Sequence, residues 1–403
     1  MHAGYGGTVT PTVRSRREAP PPSGPSVEHE HEHAHARSGD VAVVDWPVAA
    51  QVAGRLANPG PSASRDELDA LVAGLRDAAA RAVPAVLDVT RMRPAPESAA
   101  TSDRLSDVYV VDRARWALAN TEVMASMTDP LMAGLSARER SQLSSPVTSL
   151  VGATQVGGVL AALSSRVLGQ FDPYAVGGDA AAPPLGRLLL VAPNVLHAER
   201  SMRVRAADFR LWVCLHEQTH ALQFAAAPWL VGHLRGRMGE LVDEVTNRSR
   251  EMSRARWDAR IAGAGRALVS AVRGRDGVLD GLLGPGPRRT FEEMTAVMAL
   301  LEGHADVAMD DVGPRVVPTV RQIRRKFEER RDGAGRGPAD GVLRRVLGMD
   351  AKLAQYRDGA AFVRGVEREV GRDGFNAVWT SPATLPTAAE IADPGAWVRR
   401  VHG

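Results

Sequence analysis

His216, Glu217 and His220 fall within five consecutive residues, His216-Glu217-Gln218-Thr219-His220. On a helix, residues four apart lie one above the other on the same face. Two imidazoles at that spacing can reach a single tetrahedral Zn²⁺, each through a ring nitrogen at about 2.0–2.1 Å. Glu217 is offset by one position. It is poorly placed to ligate the same ion but can reach a water molecule beside it, as a general base must. The same letters recur at 29–33 and 31–35, inside the run EHEHEHAH and shortly after Pro20-Pro21-Pro22. No apolar helical pattern surrounds those copies, so they are read as part of a disordered tail. Around residue 216 the setting differs. Nine of the sixteen residues 209–224 are apolar, and they surround the helix instead of striping it, which marks a buried helix. Two histidines and a glutamate buried without partners would cost several kcal/mol. A metal ion removes that cost, and a hydrogen-bonded histidine pair on a core helix is the structural alternative.

A catalytic zinc keeps three protein ligands and one open position. The segment Leu300-Leu301-Glu302-Gly303-His304-Ala305-Asp306 offers the third. Glu302 and Asp306 are four apart and share a helix face. The expected arrangement has Glu302 as ligand and Asp306 accepting a hydrogen bond from the far nitrogen of a ligating histidine. His304 is the alternative ligand. It lies about 200° round the helix from Glu302, so the two cannot easily serve one ion.

The elements that must position these groups follow from periodicity and punctuation. Helices are expected over 66–82, 113–127, 155–168, 209–226 (N-capped by Asp208), 229–245, 291–310, 320–331 and 349–370. The helix over 291–310 should open with a capping box, Thr290 with Glu293. Short β-rich runs at 107–112 and 188–191 read as strands. The second could be a sheet edge along which an extended peptide lies, or an interior strand. The tail from 375 to 401 reads as irregular. The expected class is mainly α with a small β-sheet, α+β. The expected organisation is a disordered His- and Pro-rich tail at 1–40 and a mostly helical region at 41–180. A core at 181–315 carries the His216 and Glu302 helices, and a helical region at 316–403 packs on it.

Composition narrows the chemistry. In 403 residues, apolar types make up 44% and aromatics only 4%, which favours helices filled with Ala, Val and Leu. Fifty basic against 47 acidic residues give no electrostatic case for a nucleic-acid partner. Cys214 is the only cysteine, so a metal must be held by histidine and carboxylate. At its position it reads as a small core residue. The basic run Arg321 to Arg331, interleaved with Glu328 and Glu329, reads as a solvated helix face. Gly152, Gly157 and Gly158 lack the G-K-[ST] of a phosphate loop. Neither a membrane span nor a secretory signal is visible, and a cytoplasmic location is expected.

The His216 helix followed by an E-x-x-x-D helix resembles the gluzincins, the thermolysin-like enzymes. More closely, the chain resembles an actinobacterial family of zincin-like proteins, named for zinc-dependent metalloprotease activity or for an association with deazaflavin-coenzyme biosynthesis. The stretches that carry this resemblance are Val110-Val111-Asp112-Arg113, 209–224, 301–310 and 373–397, including Trp379-Thr380-Ser381-Pro382. It implies a zincin-like metalloprotease fold with zinc at His216, His220 and a third ligand. The expected activity is that of a zinc metallopeptidase with Glu217 as base and a peptide or protein as substrate. A zinc hydrolase of small amides and a non-catalytic zincin-fold scaffold are the alternatives. Tyr174, His197 and Tyr356 are oxyanion-stabilising candidates by residue type alone.

Overall fold

A computed structural model describes residues 44–133, 146–174, 185–254, 285–333 and 349–403. The low-complexity histidine run and the Gly-rich segment near 274–284 lie outside the described residues. Helices α1 (Trp46–Leu56) and α2 (Arg65–Thr90) come first. Ser64 caps α2 by accepting from Glu67 N, and Asp66 and Glu67 in its first turn complement the helix dipole. Strand β1 (Asp107–Val111) leads into α3 (Arg113–Ala133), and α4 (Pro146–Ser164) precedes β2 (Gly169–Asp172). Strand β3 (Arg187–Val191) runs directly into α5 (Ala192–Met202). There Pro193 occupies the first turn, where its missing N–H costs nothing. Ala192-Pro193-Asn194, directly after the strand, is therefore a helix start.

The sheet has the order β1-β3-β2, with β1 parallel and β2 antiparallel to β3. The expected peptide-binding edge at 188–191 is thus the central strand. Leu188, Leu189, Leu190 and Val191 are all buried, as a strand covered on both faces requires. Leu188 and Leu190 join the main core, while Leu189 and Val191 meet Ala53, Trp116, Ala117 and Leu160 from α1, α3 and α4. The outer edge nearest the His216 helix belongs to β2, four residues too short to show alternation. Arg187 anchors this end of the sheet. Its guanidinium reaches Asp172 at 2.7 Å, Glu122 at 3.0 Å and the Ala119 carbonyl at 3.0 Å.

Helix α6 (Ala206–Ala226) is the spine of the core, with apolar contacts all round. Asp208 lies inside its first turn rather than at the cap. Its Oδ2 accepts from Thr319 N (3.1 Å) and Thr319 Oγ1 (2.7 Å), at the start of a later helix, so the side chain serves a neighbour. The Ala-rich buried face of α2, with Ala78, Ala79 and Ala82, packs on α6. Helix α7 (Trp229–Arg254) follows, and α8 (Pro285–Asp311) closes over α6 from the other side. Because α8 begins at Pro285, Thr290 and Glu293 form no capping box. Thr290 Oγ1 donates to Glu244, and Glu293 pairs with Arg237 and Arg289.

After the single turn α9 (Gly313–Val316) come α10 (Val320–Gly333) and α11 (Met349–Phe375). The last stretch is not irregular. It holds 3₁₀ turns at Asn376–Trp379 and Pro382–Thr384, then α12 (Ala388–Ala392) and α13 (Pro394–His402). Thr387 and Glu390 cap α12 reciprocally, and Asp393 caps α13 ahead of Pro394. Helices α8 and α11 cross with their backbones in contact. A side chain at Gly303 would overlap Gly359 and Ala360, and one at Gly359 would overlap the Ala299 carbonyl. Among the described residues, no helix is long and apolar enough to cross a membrane.

Candidate metal centre

His216 and His220 stand one turn apart on α6 and turn the same ring atom inward. Their Nε2 atoms are 3.1 Å apart. Glu302, from α8, brings Oε2 to 3.3 Å from His216 Nε2 and 3.8 Å from His220 Nε2. Ligand atoms held tetrahedrally at about 2.0–2.1 Å from an ion are about 3.3–3.4 Å from one another, and the three observed separations bracket that value. All three side chains keep some solvent exposure, which leaves a direction open for a fourth ligand. Two imidazoles and one carboxylate with an open position make a donor set typical of catalytic zinc. The residues therefore fit the ion. Among the described residues this is the only group of three with such convergence.

The electrostatics of the three groups follow from their mutual approach. Burial opposes a charge on Glu302. The positive charge of His220 and hydrogen bonds from both imidazoles outweigh it and hold the carboxyl well below its usual range. Burial would likewise lower His220, but the Glu302 carboxylate, with help from Glu217 and Gln223, raises it to about 9. A dication among these groups reverses that logic, because it favours neutral imidazole and ionised carboxylate.

Glu217 does not join the ligand cluster; it lies between α6 and the outer edge of β2, close enough to His216, His220 and Glu302 for their charges to act on it. It is buried. A β-carbon placed on Gly169 would stand 2.7 Å from Glu217 Cγ, so the bare glycine is what lets the carboxylate lie there. Burial raises its pKa. The charges of His216 and His220 and the Phe171 backbone amide partly offset that, and Glu302 adds to it.

Two sequence expectations need correction. Asp306 does not support a histidine. It is spent on Arg324, from α10, which bonds Asp306 Oδ1 at 2.7 Å and Asp310 Oδ1 at 2.7 Å. Helix α10 supplies a cation that fills the space between the two acids. His304 is not in the ligand cluster either. It is buried, with its ring against Phe375 and Trp379 at 5.3 and 5.4 Å between centroids. Burial, with Arg372 and His220 nearby, pushes it down to about 3, so it is neutral.

The outer nitrogens of the two histidines meet groups that no motif announces. His220 Nδ1 is 2.9 Å from Gln223 Oε1, and His216 Nδ1 is 3.3 Å from Met309 Sδ. Gln223 lies three residues beyond His220, within reach on the same helix face, and that spacing was the available signal. Of the oxyanion candidates, Tyr174 lies just beyond β2 under the guanidinium of Arg235 at 5.6 Å, and His197 is exposed on α5. The Tyr356 side chain lies outside the described residues.

The fold and the centre together define a helical α+β protein with a two-histidine, one-carboxylate cluster that could hold a metal ion, built across two core helices. The sequence pattern of the zincin-like metallopeptidases matches residues 44–398, and the chain belongs to that family. It is also similar to a crystal structure from Chloroflexus aurantiacus described as a candidate hydrolase with a novel fold. The two share 28% identity at a TM-score of 0.58, over 89% of this chain and 99% of that one. A search of the curated proteins found no match.

Proposed function

We propose that the protein is a zinc-dependent hydrolase that cleaves peptide bonds, with His216, His220 and Glu302 as ligands and Glu217 as general base. The observation that carries this reading is the convergence of three ligand atoms from two helices, with a fourth, non-ligating carboxylate held beside them. A binding scaffold has no need of that fourth group. A zinc ion so held supplies Lewis acidity toward a carbonyl and toward water. Glu217 then takes the proton of the attacking water and delivers it to the leaving amine. The burial that raises its pKa makes it a better base near neutral pH.

The sheet favours an extended substrate. Leu168 O accepts from Val191 N at 2.9 Å, which makes Leu168 and Val191 a hydrogen-bonded pair. Antiparallel pairing alternates, so Gly169 and Phe171 turn their N–H and C=O groups away from β3. The Phe171 N–H is taken by the Glu217 carboxylate, which leaves the Gly169 N–H and C=O and the Phe171 C=O facing the β2 edge. An extended peptide pairing there would pass its scissile carbonyl over the centre.

The test is metal analysis of the purified chain, with a broad peptide-cleavage screen of wild type and Glu217→Gln. Small amides are screened alongside. The expected result is stoichiometric zinc in both proteins and cleavage of peptides by wild type alone. Zinc without cleavage of any substrate would identify a scaffold. Cleavage confined to small amides would move the substrate class.

A further inference from the structure

Gln223 is wholly buried one turn beyond His220, and both ends of its amide are engaged. Nε2 lies 2.9 Å from the Leu301 carbonyl oxygen and 3.1 Å from His304 Nδ1, while Oε1 lies 2.9 Å from His220 Nδ1. The two ends of an amide are alike in shape and opposite in hydrogen-bond character, so the network decides which is which. A main-chain carbonyl only accepts. The end facing Leu301 is therefore the NH₂, and the end facing His220 is the oxygen. That oxygen also only accepts, so His220 Nδ1 must carry its proton. The remaining nitrogen, Nε2, is the one turned toward His216 and Glu302, and it is the one left to give its lone pair to an ion. By the same argument His304 Nδ1, which receives the second amide hydrogen, carries no proton.

We propose that Gln223 is the positioning residue of the metal centre: it takes its direction from the Leu301 carbonyl and imposes on His220 the ring plane and tautomer that present Nε2 to the ion. This rests on the zinc reading given above. It adds a coupling between the two helices. One turn of α8 supplies the Glu302 ligand, the Leu301 carbonyl that sets the amide and the His304 nitrogen that holds its other hydrogen. Seating that turn against α6 delivers one ligand and aims a second in the same step. An outer carboxylate, such as Asp306 was expected to be, would accept through either oxygen and could not register direction. It would also add charge, whereas the amide leaves the ligand set with the single negative charge of Glu302.

Zinc affinity is measured on the full chain by competition with a chromophoric chelator, for wild type and Gln223→Met, together with ¹H–¹⁵N spectra of the histidine ring N–H groups in the zinc-loaded protein. Methionine matches glutamine in length and cannot accept from an N–H with comparable strength. Zinc binding should weaken by about 10–100-fold. The His220 Nδ1–H, slow to exchange with water in wild type, should exchange rapidly in the variant. Equal zinc affinity in the two proteins would overturn the proposal while leaving the zinc reading intact. A wild type that takes up no zinc would overturn both. If the variant fails to fold, the wild-type spectrum still decides: a proton on Nδ1 of His304, or a rapidly exchanging one on Nδ1 of His220, shows that the amide does not lie as argued.

Discussion

Gly169 and Glu217 share one pocket of space: a β-carbon on the first would stand 2.7 Å from Cγ and 2.9 Å from Oε1 of the second. Gly169 lies in a strand with no positive φ, and the three atoms nearest an added β-carbon all belong to Glu217. Gly169→Ala should displace the carboxylate without replacing any of the three clustered side chains, none of which is among the atoms nearest the added β-carbon. Displacing a reacting group by about 1 Å can cost on the order of 100-fold in rate. The expected outcome is a kcat lowered by about that factor, with zinc content and melting temperature close to wild type. A kcat equal to wild type would show that the base does not work from this position.

Glu302 and His304 are two residues apart and should fail differently when replaced. Glu302→Ala removes a ligand atom that lies 3.3 Å from His216 Nε2, and the purified protein should lose zinc on dialysis. His304→Leu removes no ligand atom. It leaves one hydrogen of the Gln223 amide unpaired in the core, at about 1–3 kcal/mol. The melting temperature should fall while zinc is retained. Retention of zinc by the alanine variant and its loss by the leucine variant would exchange the two assignments.

The helix that carries His216 and His220 was legible from sequence because two imidazoles four residues apart, in an apolar run, have few other uses. Glu302 was legible for a related reason, as an acid preceded by two leucines on a core helix. Asp306 was misread because the guanidinium that claims it sits on α10, and spacing within α8 carries no trace of it. Gln223 was missed because an uncharged amide has no motif of its own. Its role depends on a carbonyl of another helix. Strand β2 is four residues long and was invisible, and without it the neighbouring strand passed for the edge.

The C-terminal helices should respond to acid through Glu390. Its carboxyl accepts from Arg400 Nε at 2.6 Å and from Thr387 N at 2.9 Å. Burial opposes the charge, but these bonds outweigh it and lower the pKa from 4.5. A carboxyl depressed by folding contributes stability above its unfolded pKa, and that contribution is lost as pH falls through the folded value. The melting temperature of wild type should therefore exceed that of Glu390→Gln most at neutral pH. The gap should close as pH drops below 4.5. A gap that stayed constant down to strong acid would show that the charge on Glu390 contributes nothing.

Cys214 should report unfolding and nothing else. It is fully buried, and burial together with the charge of Glu217 pushes its thiol well above the ordinary range. A thiol held protonated and out of solvent is inert. Labelling by an aromatic disulfide reagent should proceed at the rate of global opening and accelerate with denaturant. Rapid labelling of the native chain would contradict the packing of α6 on α2.

The crossing of α8 and α11 at Gly303 and Gly359 leaves no side chain between the two main chains. A contact made of side chains can absorb a small roll of one helix by changing rotamers. A contact made of peptide groups has no such slack. Since Gly303 directly follows Glu302, the bearing of that carboxylate is dictated from the far end of the polypeptide, by a helix that adds no member to the ligand cluster. A chain ending before α11 would still spell out the three clustered residues and Glu217, and it would have lost the rest against which Glu302 is aimed.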